Sequence, residues 1–165
     1  MSTSNKTPNS VTAKTASAPK FWALASAGLL AAALLLVVAG ASLWRRVPKA
    51  VTLQTPHATY YLQVAADQAA QQKGLGGRMS LSANSGMLFW FNGQQQRCFW
   101  MKDMQFPLDI IWLDSNKRVV HEERDLSPAT YPHTYCPPEP ARYVLELNAG
   151  QAQRAGIVPD EALTF

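Results

Sequence analysis

The sequence predicts an α+β fold that is mainly antiparallel β, a small β-barrel-like domain with two short helices, preceded by one N-terminal transmembrane helix. Short segments rich in β-branched and aromatic residues recur from residue 51 onward, separated by turn residues. Only two segments in that region carry helix boundaries, and both are short. Ahead of them lies a long uncharged run. The expected units are a disordered arm (1–20), a transmembrane helix (21–44), a linker (45–50) and the folded domain (51–165).

The uncharged run from Phe21 to Trp44 is predicted to be a signal anchor. It has 24 residues without a charge and carries aromatic residues at both ends. A helix needs about 20 apolar residues to span a bilayer, and aromatic residues favour the two interfaces. The alternative is a secretory signal cleaved near Ala41, where Ala39 and Ala41 form an A-x-A pattern. The run is longer than the apolar part of most such signals, which favours the uncleaved anchor.

The first half of the folded domain is predicted as strands around one short helix. VTLQT (51–55) and ATYYLQVAA (58–66) have strand composition. Asp67 can cap a helix over QAAQQKG, which the following glycines end. GMLFWF (86–91) is consistent with a buried strand, and the Asn-Gly pair after it predicts a hairpin turn into QQQRCFWMK.

The second half adds four more strands and a helix. Pro107 separates CFWMK from the strand LDIIWLD (108–114), and KRVVHEERDL (117–126) is the next strand. Residues 127–140 contain five prolines and predict an irregular loop. ARYVLELNA (141–149) alternates, with Val144, Glu146 and Asn148 on one face. QAQRAGI is a short helix, and ALTF is predicted as a final strand.

The distribution of charge argues against nucleic-acid binding. The whole chain has a formal net charge of +4. From Ala50 onward, however, nine Lys and Arg residues face eleven Asp and Glu residues. The folded part therefore lacks the broad positive surface that a phosphate backbone requires.

Four separated motifs resemble a known family. GMLFWF, CFWMKDMQFPLDIIWLD, ARYVLELNAG and GIVPD resemble, in this order, the family called domain of unknown function 192, over about residues 61–165. The resemblance implies a compact, mainly antiparallel β-barrel-like α+β domain, often exported behind a signal or anchor, with no settled activity. The chain departs from the family pattern at Gly76, at Asp103 and Met104, and at Pro159.

The two cysteines are predicted to form a disulfide. Cys98 and Cys136 make an even count beyond an export segment, and members of the resembled family often place cysteines at similar points. The bond would tie the CFWMK strand to the proline-rich loop. The alternatives are two unpaired core cysteines, or a metal pair with His121 or His133, for which no metal-binding spacing is present. An oxidised pair would place the domain outside the cytosol and the lysine-bearing arm inside it.

Asp109 is the main candidate for a binding residue. Alternation places it on the same face as Ile111 and Leu113, and an acid on an apolar face must be paired or hydrogen-bonded, or its pKa rises. It could form the polar floor of a ligand pocket with Lys102. The walls of that pocket would be Phe99, Trp100, Met101 and Trp112. The alternative is a structural carboxylate that accepts turn N–H groups or pairs with Arg142.

The expected function is a membrane-anchored extracytoplasmic module that binds a small molecule or an envelope protein. One alternative is a hydrolase that uses Asp109 with Lys102 or a nearby histidine, and another is a structural accessory of an envelope complex. No Ser-His-Asp order, nucleophile elbow, P-loop or zinc motif is present. The sequence therefore names no reaction, and neither a cofactor nor a metal is predicted.

Overall fold

The computed structural model describes residues 47–165. These residues contain eight strands and two α-helices. The strands are β1 (Ala50–Gln54), β2 (Thr59–Ala65), β3 (Ser85–Gln95), β4 (Phe99–Trp100), β5 (Leu108–Leu113), β6 (Val119–Leu126), β7 (Thr134–Tyr135) and β8 (Ala141–Asn148). The helices are α1 (Gln68–Lys73) and α2 (Gln151–Ala155), with a 3₁₀ turn at Pro128–Thr130. The mainly β composition and the two short helices confirm the α+β class.

Six of these strands form an open sheet in the order β1-β2-β3-β8-β5-β6. Neighbouring strands are antiparallel except β2 and β3, which are parallel. Parallel neighbours need a long crossover connection, and here that connection contains α1. Strands β4 and β7 form a separate two-stranded sheet.

The predicted barrel is wrong, because the edge strands β1 and β6 do not pair with each other. The C-terminal segment lies between them instead. It forms one isolated bridge from Thr164 to Gln54 in β1, and another from Ala162 to Arg118 just before β6. The segment predicted as a final strand, ALTF, is thus reduced to single bridges, which do not close the sheet.

The first helix begins and ends where the sequence predicts. The carboxylate of Asp67 accepts a hydrogen bond from the Ala70 N–H at 2.8 Å and caps α1. Gly74 ends the helix with a φ of 51°, a conformation that glycine adopts without steric cost.

The predicted hairpin at Asn92 and Gly93 is wrong. Strand β3 continues through both residues to Gln95. Its register against β8 shifts between Trp90 and Gln95, so the Asn-Gly pair lies in an irregular part of one strand. Only Phe99 and Trp100 of the predicted CFWMK strand are extended and paired, and their partner is β7.

Both faces of the sheet are covered. One face, called here the α2 face, packs against α2 and the C-terminal segment, with Ile111, Leu145 and Ala152 in its core. The other, called the α1 face, packs against the α1 region and the β4–β7 sheet, with Ile110 and Val144 in its core. Every residue of β5 is buried, because that strand contributes side chains to both cores.

The predicted cytoplasmic arm, the transmembrane helix Phe21 to Trp44 and the first residues of the linker lie outside the described residues. Within residues 47–165, no helix is long and apolar enough to cross a membrane.

Candidate functional site

A cavity of about 850 Å³ lies on the α1 face. This volume is within the range of about 300 to 1,000 Å³ that is typical of small-molecule sites. Its walls come from α1, the glycine-rich segment 74–77, the aromatic residues of β3 and residues 96–104. Segments 74–77 and 102–104 are held together by a hydrogen bond from the Gly77 N–H to the Asp103 carbonyl at 2.8 Å.

Glu146 lies in the lining of this cavity and belongs to β8 in the middle of the sheet. Its register partners are Met87 on β3 and Ile110 on β5, so apolar neighbours surround its side chain. The residue is only 5% exposed, and its Oε2 has no hydrogen-bond partner within the described part of the chain. Burial raises the pKa of Glu146 to about 8, and the charge of Arg78 opposes this shift.

Three cationic side chains line the same cavity: Lys73, Arg97 and Lys102. None of them forms an ion pair with a carboxylate of residues 47–165. The guanidinium of Arg97 lies 4.1 Å from the centre of the Phe91 ring, and its buried Nε has no hydrogen-bond partner among these residues. Burial lowers the pKa of Arg97. Asp103 is the second acid in the lining.

Aromatic rings form the apolar walls. Phe89 and Phe99 meet edge to face with their centres 4.8 Å apart, and Phe99 meets Trp112 in the same way at 6.1 Å. Trp100 is 52% exposed, and the Lys102 Nζ lies 5.8 Å from the centre of its ring. The cavity thus combines flat apolar surfaces with cationic groups.

A disulfide fixes the wall formed by residues 96–100. Cys98 and Cys136 are bonded, with their Cα atoms 4.2 Å apart, and this confirms the predicted pairing. Both alternatives, unpaired cysteines and a metal pair, are therefore wrong. Next to the bond, Gln96 donates a side-chain hydrogen bond to the Pro137 carbonyl at 3.0 Å. The disulfide and this hydrogen bond together hold the wall against the proline-rich loop.

Of the predicted ligand-binding residues, Lys102 and Trp100 lie in the cavity lining. Met101 and Trp112 are fully buried in the core of the α1 face. The indole N–H of Trp112 donates to the backbone carbonyl of Arg97 at 2.6 Å, which helps to position a residue of the lining.

Asp109 lies on the α2 face and does not line the cavity. It is fully buried, and its Oδ1 accepts the Asp125 N–H at 2.9 Å. Its Oδ2 accepts the Ala152 N–H at 2.8 Å and so caps α2, which has no side-chain cap at Gly150. These bonds match the alternative of a structural carboxylate that accepts N–H groups. The structure does not bring Asp109 and Lys102 together.

The sequence-based prediction missed several residues of the cavity, among them Lys73, Arg97 and Glu146. Alternation had already placed Glu146 on one face of ARYVLELNA with Val144 and Asn148. Because the polar Asn148 shares that face, alternation did not mark Glu146 as an acid on an apolar face, as it did Asp109.

One known protein family matches nearly all of the described residues. The family model of domain of unknown function 192, described as "Uncharacterized ACR", matches residues 50–165. The chain belongs to the domain of unknown function 192 family. No curated protein matches the chain.

Two crystal structures are similar to this member of the domain of unknown function 192 family. One is a Sinorhizobium meliloti 1021 protein described as "a putative transcription regulator", with 30% identity and a TM-score of 0.64 over 70% of this chain and 91% of that one. The other is a protein of unknown function from Novosphingobium aromaticivorans, with 30% identity and a TM-score of 0.63 over 70% of this chain and 84% of that one.

Proposed function

We propose that this member of the domain of unknown function 192 family binds a small molecule in the cavity above Glu146. The observation that carries the proposal is the unpartnered Glu146 side chain. A buried polar group without a hydrogen bond costs about 1 to 3 kcal/mol, and buried polar groups in proteins are usually satisfied. A ligand that contacts Glu146 would supply the missing partner. No other group of the described residues does so.

We also propose that residues 21–44 anchor the chain and that the domain lies outside the cytosol. The apolar run is long enough to span a bilayer. The disulfide supports the same compartment, because such bonds persist in oxidising environments and are rare in the cytosol.

The hydrolase alternative has no support from the geometry. Both oxygens of Asp109 accept backbone N–H groups, and the residue lies on the face opposite Lys102. Nucleic-acid binding is not part of the proposal either, because from Ala50 onward eleven acidic residues face nine basic ones.

Native mass spectrometry of the full-length chain, extracted from its own membrane in detergent, tests the binding function. We expect the wild-type chain to retain a small molecule and the Glu146→Leu variant to lose it. Asp109→Asn is the matched control, because it alters a buried acid on the other face and should leave the bound compound in place. Equal retention by Glu146→Leu and wild type would contradict the proposal. Retention of a protein alone would support the structural accessory role instead.

A further inference from the structure

We propose that the ligand is a small organic anion with a flat apolar body and a neutral hydrogen-bond acceptor, such as a carbonyl oxygen, at the end away from its charge. This inference rests on the proposed binding function and names the chemical class of ligand for the same cavity. Three features of the lining carry it: its cations, its buried acid and its aromatic walls.

The cations select the charge of the ligand. Lys73 comes from the last turn of α1, while Arg97 and Lys102 come from the segment around β4, so they reach the cavity from different elements. They make no ion pair with a carboxylate of residues 47–165. A carboxylate or phosphate on the ligand would satisfy them, and the planar guanidinium of Arg97 suits such groups.

Glu146 favours a hydrogen-bond acceptor at the uncharged end of the ligand. The ionisable groups in the lining around it are Lys73, Arg97, Lys102 and Asp103, and Arg78 also acts on its charge. Because its pKa is raised to about 8, Glu146 is protonated at pH 7 and can donate its O–H to an acceptor. An ammonium group would instead require ionised Glu146, and it would have to enter among three cationic side chains.

The walls select a flat apolar body. Phe89, Phe91 and Phe99 belong to the lining, and contact with aromatic side chains favours a ligand with a planar apolar body. The disulfide at Cys98 fixes the segment that carries Phe99 and Trp100, so this wall is formed before a ligand arrives.

Four related probes separate the three features. The probe 4-acetylbenzoate has the anion, the ring and the carbonyl. The probe 4-ethylbenzoate lacks the carbonyl, 4-methylacetophenone lacks the charge, and 4-acetylbenzylamine reverses it. Binding to the full-length chain in nanodiscs can be measured by saturation-transfer NMR, with empty nanodiscs as the reference. We expect 4-acetylbenzoate to bind about two- to tenfold more tightly than 4-ethylbenzoate, because only the acetyl group can accept a hydrogen bond from Glu146.

Variants assign each preference to its residue. Arg97→Met should reduce the affinity for 4-acetylbenzoate relative to that for 4-methylacetophenone, with a residual preference for the anion from Lys73 and Lys102. Arg154→Met, which removes an exposed cation on α2 outside the cavity, is the matched control and should change neither affinity. Glu146→Leu should abolish the preference for the acetyl over the ethyl group. Glu146→Gln should keep that preference, because its amide still donates a hydrogen bond.

The results separate a wrong ligand class from a wrong function. Tighter binding of the amine or of the uncharged probe would overturn the ligand class. The class also fails if no probe binds while native mass spectrometry still finds a compound that depends on Glu146. If no probe binds and no compound is retained, the binding function fails with it.

Discussion

Replacing Glu146 by Gln should stabilise the folded protein at neutral pH. The pKa of this carboxyl is about 8 in the folded protein and 4.5 in the absence of its environment. Between pH 4.5 and about pH 8, the Glu146 carboxyl is protonated in the folded state and ionised in the unfolded state. The free energy of unfolding therefore falls as the pH rises through this range. A Gln side chain has nearly the same shape and does not ionise, so it avoids this loss.

The size of the effect follows from the two pKa values. For each pH unit above 4.5, the free energy of unfolding of the wild type falls by about 1.4 kcal/mol, until the pH reaches the pKa of Glu146 in the folded protein. At pH 7 the Glu146→Gln variant should therefore be more stable than the wild type by about 3 kcal/mol. The difference should shrink to about 0.4 kcal/mol at pH 4.5, where the carboxyl is half ionised in the unfolded state and almost fully protonated in the folded state.

Urea unfolding of the full-length chain in micelles, followed by tryptophan fluorescence between pH 4.5 and 8, measures this difference. A stability gap that stays constant with pH would refute the reasoning. So would a variant that is less stable than the wild type at pH 7, because that result would mean that Glu146 is ionised and stabilised in the folded state.

Three further predictions concern other groups. Asp109→Asn should lower the free energy of unfolding by about 1 to 3 kcal/mol, since an amide cannot accept from both the Asp125 and Ala152 N–H groups; the same urea assay tests this. The Cys98→Ser/Cys136→Ser double variant should lose about 4 kcal/mol, the loop-closure effect of a bond between residues 38 apart; undiminished stability in that assay would contradict this. Binding of 4-acetylbenzoate should weaken above pH 8 in the wild type but not in Glu146→Gln, as an NMR titration against pH would show.

Local sequence patterns predicted the elements better than their pairing. The strands β5 and β8 and both helices appear where alternation and capping residues indicate them. The parallel pairing of β2 with β3 depends on contacts distant in sequence, which no local pattern specifies. The Asn-Gly pair failed as a hairpin signal because β3 finds its partners in β2 and β8, and the pair is accommodated as an irregularity within the strand.

The sequence predicted only part of the cavity lining, because local patterns do not specify how distant elements pack. Two of the residues predicted to bind a ligand, Trp100 and Lys102, line the cavity, whereas Asp109 does not. Alternation shows which residues of a strand share a face, but it does not show which face bears a cavity. That depends on where α1 and the β4–β7 sheet pack, and the packing is set by contacts across the sheet rather than along the strand.

The register between β5 and β8 explains why the two buried acids have different environments. Asp109 lies opposite Leu147, and its neighbour Ile110 lies opposite Glu146. The two acids are therefore offset by one residue in the register of adjacent strands. Directly opposite residues point to the same side of a sheet, and successive residues point to opposite sides. The register therefore sends Asp109 to the α2 face, where backbone N–H groups satisfy it. It sends Glu146 to the α1 face, where the residue borders the cavity and its buried Oε2 has no partner from the described residues. The same register thus leaves one buried acid with both oxygens hydrogen-bonded and the other with an oxygen that lacks a partner among the described residues.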